Sequence, residues 1–258
     1  MKLLTIITAC TLTLGLSAET INFDLSKIKD KKAAVDGNVL TYTGGGILQF
    51  PSVKFDPTAK YTLSMEVKMA DGAKTARFYA GYFCDDSQKR RLAYYNIDAV
   101  LNSDTVLTAD VKKGDKVIMV KNGSAWRKAG FVAFNTKTDY SDLPNFEAFG
   151  AVTNVKKDGD VWAVTLSRPI MKAYPAGTAV REQMPGGYLY TFYDIPKKTW
   201  KKYTRTISGV FTPGKGKRPD SKFWPKTATI KPMVLVNWSS KDPDTKTQFR
   251  NITLTIEK

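Results

Sequence analysis

The chain has 258 residues, of which 42% are hydrophobic and 12% are aromatic, and this is enough for one large core or two small ones. It contains no histidine, so Ser-His-Asp and Cys-His catalysis, histidine acid–base chemistry and His-ligated zinc are excluded within the chain. Its 40 lysines and arginines against 24 aspartates and glutamates give a net charge of +16, which favours polyanionic partners. Such partners include sulfated or uronic-acid glycans and anionic cell-wall polymers, and no nucleic-acid partner is expected, although a lysine-rich surface that only confers solubility would have the same composition.

The first 18 residues have the pattern of a secretory signal peptide. Met1-Lys2 supplies the charged start, residues 3–16 are apolar, and small residues end the segment, so cleavage is expected after Ala18. This predicts a secreted or periplasmic protein. Residues 7–10 look like the box before a lipid-modified cysteine, so a lipoprotein anchored at Cys10 is the alternative. No later stretch reaches the roughly 18 apolar residues of a transmembrane helix, and no transmembrane segment is expected.

Loss of the signal peptide would leave Cys84 as the only cysteine, and a single thiol forms no internal disulfide. Cys84 follows an apolar strand pattern and, without a histidine to activate it, is predicted to be a buried small hydrophobe. The fold must therefore be held together by its core.

Period-two alternation predicts the strands of the first 100 residues. The strongest is Lys60–Met69, which is followed by an Asp71-Gly72 turn. Residues 27–34 could form one helical turn and no more. The other strands predicted here cover residues 20–25, 38–43, 46–50 and 76–83.

A run of shorter strands follows, separated by turns such as Asn122-Gly123 and Asp158-Gly159. We interpret residues 101–185 as a small β subdomain inserted into a β-sandwich whose two halves are residues 19–100 and 186–258. The short strands are predicted at residues 105–111, 116–120, 130–134, 150–155 and 160–166.

The last quarter has a clear strand period, because apolar and polar residues alternate through residues 201–208 and again through residues 252–257. No helical period extends over more than about two turns, and no repeat at a fixed spacing appears. The predicted fold class is therefore all-β.

The order of the C-terminal pieces resembles a known family. Trp200 opens a strand, a long polar loop follows, an apolar strand reaches Asn-Trp-Ser at residues 237–239, and a final strand begins near Phe249. This order is similar to the C-terminal half of the jelly-roll carbohydrate-binding modules of the galactose-binding-like superfamily. The resemblance covers about the final 60 residues and, more faintly, residues 60–86. It implies a jelly-roll β-sandwich that binds sugars, with Trp200 packed in the core.

Sugar binding requires flat apolar rings beside hydrogen-bonding side chains, so aromatic residues in loops are the candidates. A long basic loop contains Trp224, and Trp238 lies where a strand meets a loop. The predicted ligand-binding residues are Trp224, Trp238, Tyr188, Tyr190, Trp126 and Arg218.

Strict alternation places Tyr188, Tyr190 and Phe192 on one strand face and Leu189 and Tyr193 off it, so about half of these rings would be structural. Trp126 follows a turn beside two cations and is expected to be exposed. Arg218 belongs to the basic loop at residues 215–219.

Loop carboxylates at Asp85, Asp86, Asp242 and Asp244 could hold a structural calcium ion, which needs several oxygen ligands. No EF-hand spacing occurs among them. We therefore predict no cofactor, with structural calcium as the alternative.

Together these features favour a secreted, non-catalytic carbohydrate-binding protein for an acidic or sulfated polysaccharide. One alternative is a structural or adhesive surface protein without a small ligand. Another is a jelly-roll polysaccharide lyase, in which tyrosine acts as base and acid and a cation neutralises the uronate; Arg77, Tyr79 and Tyr82 are the residues that suggest it. The familiar lyase motifs are absent, so no catalytic residue is assigned.

Overall fold

The computed structural model describes residues 18–74, 76–213 and 221–258. The predicted signal peptide, except Ala18, lies outside the described residues, and so do Cys10 and Arg218. No helix in the described ranges is long and apolar enough to cross a membrane.

The regular secondary structure of the described residues consists almost entirely of antiparallel strands, which confirms the all-β prediction. The exceptions are a 3-10 turn, Leu25–Lys27, and one short helix, α1 (Tyr94–Ile97). In chain order the strands are β1 (Ala18–Asn22), β2 (Ala33–Asp36), β3 (Val39–Thr43), β4 (Gly46–Gln49), β5 (Val53–Lys54), β6 (Lys60–Met69), β7 (Phe78–Asp85), β8 (Arg91–Leu92), β9 (Thr105–Val106), β10 (Val117–Val120), β11 (Phe131–Phe134), β12 (Ala148–Asp158), β13 (Val161–Leu166), β14 (Ala179–Gln183), β15 (Leu189–Asp194), β16 (Lys201–Ser208), β17 (Thr229–Val236) and β18 (Lys246–Glu257).

Eight of these strands form a jelly roll. Sheet A has the order β3-β18-β6-β16, and sheet B has the order β4-β17-β7-β15, so chain neighbours on either side of the insert alternate between the two sheets. The short strands β1, β2, β5 and β8 extend the edges of these sheets. The predicted jelly-roll sandwich is thus the observed architecture.

Side-chain alternation decides what each sheet buries. On β6 the residues Tyr61, Leu63, Met65 and Val67 point into the core and are fully buried, while the intervening positions such as Thr62 face outward. Because β6 lies in the interior of sheet A, this buried row forms the centre of the contact with sheet B.

The remaining six strands, β9 to β14, form a third sheet between β7 and β15 in the sequence. This insert sheet has its own hydrophobic cluster, which includes Ile118, Val132 and Val164. Main-chain hydrogen bonds join it to the sandwich: Val100 donates to Glu182, and Met184 donates to Asp98.

The sequence allows at most one helical turn in residues 27–34, and the chain forms the 3-10 turn Leu25–Lys27, where Asp24 accepts a hydrogen bond from the Ser26 N–H, and then strand β2. The resemblance implied that Trp200 packs in the core, and that prediction is wrong. Trp200 is half-buried outside the core cluster, with the Arg250 guanidinium 4.3 Å from its ring centre.

Cys84 is fully buried, as predicted, and burial raises the pKa of its thiol to about 12. The thiol therefore stays protonated at neutral pH.

Strand β14 buries three polar side chains in a row, Arg181, Glu182 and Gln183. Arg181 is paired with Asp142 at 2.8 Å and Asp104 at 3.4 Å. Glu182 points the other way, accepts a hydrogen bond from the Arg127 N–H at 2.9 Å, and has one carboxylate oxygen without a hydrogen-bond partner. Burial raises the pKa of the Glu182 carboxyl from 4.5 to about 7.

The raised pKa of Glu182 predicts a loss of stability with rising pH. Between pH 4.5 and 7 the folded state holds a proton that the unfolded state releases, so the free energy of unfolding falls across this window. We expect Glu182→Gln to match the wild type near pH 5 and to be more stable near pH 8 by about 1 to 3 kcal/mol.

Urea unfolding at the two pH values measures this difference. Asp36→Asn, at an exposed carboxylate on β2, is the matched control. Its stability relative to the wild type should be the same at both pH values. If the wild type and the Glu182→Gln variant differ in stability by the same amount at pH 5 and pH 8, the assignment is contradicted.

Candidate functional site

Two of the predicted sugar platforms are buried, which corrects the sequence prediction. Trp224 is fully buried at one end of the sandwich core, where its ring meets Tyr94 edge-on at 5.3 Å. The loop folds back because Phe211 donates a main-chain hydrogen bond to Phe223 and Phe223 donates one to Gly209. This brings the apolar Phe-Trp pair inward, so Trp224 cannot stack on a sugar.

Trp126 was expected to be exposed and is buried in the hydrophobic cluster of the insert. Its indole N–H donates a hydrogen bond to the Ser103 carbonyl at 2.7 Å. A buried tryptophan whose single donor is satisfied inside the protein is a structural residue.

The other three predicted aromatic residues, Tyr188, Tyr190 and Trp238, are at least partly exposed. They gather on the outer face of sheet B, which is the face turned away from sheet A. Alternation on β7 explains what they meet there: Phe78, Ala80, Tyr82 and Cys84 belong to the core, so Tyr79 points outward.

A β-bulge on β15 brings a second exposed tyrosine to this face. Tyr190 pairs with Gly81 and Tyr193 pairs with Tyr79, but the register shifts between Tyr190 and Phe192. The extra residue, Thr191, reverses the alternation, so both Tyr190 and Tyr193 contact Tyr79. Strict alternation had placed Tyr190 and Tyr193 on opposite faces, and that prediction is wrong.

Gly81 makes room for this arrangement. A Cβ atom at this position would lie 1.9 Å from the Leu189 carbonyl oxygen, so the strands approach closely only because residue 81 is glycine. The absence of a side chain also leaves space on the outer face beside Tyr79, and the Tyr190 ring lies 5.1 Å from the Tyr79 ring.

We call Tyr79, Tyr190, Tyr193 and Trp238 the aromatic face. Tyr79 is at its centre: the ring centre of Tyr193 is 5.4 Å away, and Trp238 meets it edge-on at 6.4 Å. Tyr193 is 61% exposed and Trp238 is 53% exposed, so these large rings offer apolar surface to solvent.

A tightly bonded turn holds Trp238 in place. Asn237 is fully buried with a positive φ of 49°, its amide group donates to the Gly44 and Thr245 carbonyls, and its amide oxygen accepts from the Thr247 hydroxyl. The Trp238 N–H donates to the Arg77 carbonyl at 2.7 Å. A left-handed backbone that is held by so many contacts gives an exposed side chain a defined orientation.

One cation belongs to the aromatic face. The Arg77 guanidinium lies 5.5 Å from the Tyr193 ring centre and donates a long hydrogen bond, 3.5 Å, to the Tyr79 hydroxyl. That hydrogen bond raises the pKa of Arg77 further. Arg77 belongs to none of the ion pairs of the described residues, while the Asp194 carboxylate, which is paired with Lys201, adds to the rise of the Arg77 pKa from a distance. No direct ion pair therefore neutralises its charge.

Two concavities of the described residues lie away from the aromatic face. A cleft of about 420 Å³ lies between residues 21–30 and residues 47–51. A groove of about 610 Å³ lies where the insert meets α1, and it is lined by Tyr95, Phe131, Phe149 and the exposed Met171. Neither concavity includes a residue of the aromatic face.

Three of the loop carboxylates considered for calcium are paired with cations. Asp85 binds Arg91 at 2.5 Å, Asp86 binds Arg90 at 2.8 Å, and Asp242 binds Lys74 at 2.7 Å. Within the described residues, no group of three or more acidic or cysteine side chains is placed to hold a metal ion.

The turn before Trp238 can be tested directly. We expect Asn237→Ala to lower the free energy of unfolding by about 2 to 4 kcal/mol, because it removes the hydrogen bonds to the Gly44 carbonyl and the Thr247 hydroxyl and forces alanine into a left-handed backbone.

Asn237→Gly, which relieves only the backbone strain, should recover a part of that loss. Chemical denaturation followed by tryptophan fluorescence measures both variants. Equal stabilities of the alanine variant and the wild type would show that the turn is not held by this side chain.

No protein-family model matches the chain, and no curated protein matches it. A comparison with solved structures aligns it with a structure of the infectious bursal disease virus Gt strain, at 10% sequence identity and a TM-score of 0.11. The alignment covers 98% of this chain and 44% of the viral one, so the chain spans less than half of that protein.

Proposed function

We propose that this protein is a non-catalytic carbohydrate-binding protein whose aromatic face stacks on the sugar rings of an acidic or sulfated polysaccharide. The observation that carries the proposal is the exposure of Tyr193 and Trp238 around the Tyr79 ring, with Arg77 beside them. Apolar ring surface on the outer face of a well-packed sheet is costly to expose unless a ligand covers it.

The chemistry of the face suits sugars. Each exposed ring can cover the apolar side of a pyranose, at about 1 kcal/mol per ring by analogy with aromatic pairs. The hydroxyls of Tyr79, Tyr190 and Tyr193 can donate hydrogen bonds to sugar oxygens.

Arg77 and the net charge of +16 support an anionic glycan. A guanidinium binds a carboxylate or sulfate through two parallel hydrogen bonds, and Arg77 has no carboxylate partner among the described residues. The resemblance of the C-terminal strands to carbohydrate-binding modules points in the same direction, and the expected signal peptide would bring the protein to extracellular or periplasmic glycans.

The lyase alternative uses the same face and is less well supported. Tyr82, one of the residues that suggested it, is fully buried in the core and cannot reach a substrate on the surface. Burial raises the pKa of Tyr190 to about 12, which disfavours ionisation of this phenol and its use as a base.

Substitution of the exposed rings tests the proposal. We expect Trp238→Ala and Tyr193→Ala each to weaken binding to an acidic polysaccharide about fivefold, because each removes one stacking ring without opening the core. Affinity electrophoresis or calorimetry with polyuronate and sulfated polymers gives the affinities.

Met171→Ala removes an equally exposed apolar side chain in the insert and is the matched control, with wild-type affinity expected. Retention that vanishes with salt and is unchanged in the Trp238 and Tyr193 variants would support an adhesive, charge-driven surface protein instead.

Incubation with polyuronates separates binding from lyase activity. We expect no increase in the ultraviolet absorbance of unsaturated uronates over hours with the wild type. A steady increase that is lost in Tyr79→Phe would establish a lyase and contradict the non-catalytic proposal.

A further inference from the structure

We infer that the ligand is a linear anionic glycan of about four or more units, which lies across the strands of sheet B along a row of four rings. This inference rests on the proposed function, since it specifies the ligand of the same face. The ring row consists of Tyr188, Tyr190, Tyr79 and Trp238.

Each ring of the row is close to the next. The ring centres of Tyr188 and Tyr190 are 6.1 Å apart, those of Tyr190 and Tyr79 are 5.1 Å apart, and those of Tyr79 and Trp238 are 6.4 Å apart. The first step runs along β15, and the next two lead across the sheet to β7 and to the residue after β17. A row of neighbouring rings fits an extended ligand better than a single compact one.

The row crosses the sheet. Tyr188 and Tyr190 belong to the edge strand β15 and the residue before it, Tyr79 lies on β7, and Trp238 follows the end of β17. No further strand pairs beyond β15 on this path of sheet B within the described residues, and β8 pairs with β7 beyond the Tyr188 end of the row.

The ring contacts leave apolar faces free. Tyr188 meets Tyr190 at 79° and Trp238 meets Tyr79 at 87°, so these neighbours touch edge-on. An edge-on pair covers one face of one ring only, whereas a parallel stack would cover a face of each. Tyr79 is also flanked by the tilted rings of Tyr190, at 47°, and Tyr193, at 35°. The rings at the two ends of the row, Tyr188 and Trp238, are therefore the ones left most open to sugar units, and a ligand must be long enough to reach both.

Charge is distributed unevenly along the row. At the Trp238 end, Arg77 contacts both Tyr79 and Tyr193 and has no carboxylate partner among the described residues. At the other end, Arg91 lies 3.9 Å from the ring centre of Phe83, which packs on Tyr188, but Asp85 neutralises it. The acidic group of the ligand should therefore matter most near Arg77.

Oligogalacturonates of one, two, four and six units test the length of the site by calorimetry on the full chain. We expect affinity to rise at least tenfold from one unit to four and to change little from four to six. Carboxyl-reduced oligomers of the same lengths should bind more weakly, and Arg77→Gln should abolish the advantage of the acidic forms.

The two ends of the row are separated by Tyr188→Ala. It should weaken binding of the four-unit oligogalacturonate severalfold and leave binding of the two-unit one unchanged, while Tyr188→Phe, which keeps the ring, should bind both like the wild type. Trp238→Ala should weaken binding of both oligomers.

Equal affinity for all four lengths, or an equal effect of Tyr188→Ala on dimer and tetramer, would overturn the ring row while leaving sugar binding at the aromatic face intact. Failure of the wild type to bind any oligomer or the parent polymer would instead overturn the proposed function, and the ring row with it.

Discussion

The packing of sheet A against sheet B is the interaction on which the rest of this structure depends. The described residues contain one cysteine and therefore no disulfide, so burial of apolar side chains between the sheets has to hold the fold. Strands β6 and β7 each bury four residues in the core, one at every second position. The same alternation determines what the outer faces can carry, because a strand that points one set of residues inward must point the other set outward.

The aromatic face is a consequence of that alternation and of one departure from it. On β7, core packing of Phe78 and Ala80 leaves Tyr79 outside. On β15, the bulge at Thr191 lets Leu189 and Phe192 both reach the core while Tyr190 and Tyr193 both remain outside. The site therefore needs no extra elements beyond the sheet, apart from the bonded turn that presents Trp238.

The insert contributes differently. It has its own hydrophobic cluster, but its strand β14 also carries a buried polar row, with Arg181 satisfied by two carboxylates and Glu182 held by a single main-chain donor. A buried carboxylate with an unpaired oxygen is a local cost that the surrounding packing must offset. The raised pKa of Glu182 makes the stability of the insert fall as the pH rises.

The fold class, the strong strand Lys60–Met69 and the burial of Cys84 could be predicted from the sequence, because period-two alternation is a local property that survives in any sheet. Which aromatic residues are buried and which are exposed could not be predicted from it. Trp224 and Trp126 lie in polar surroundings along the chain, yet they are buried by contacts with Tyr94 and Ser103, which are distant from them in sequence. Strict alternation predicted that Tyr193 lies off the face of Tyr190, but a bulge shifts the register of β15. No glycine or proline in this strand indicates the bulge in the sequence. Local pattern shows which residues can alternate; only the pairing of distant strands decides which face each ring occupies, because that pairing sets the register.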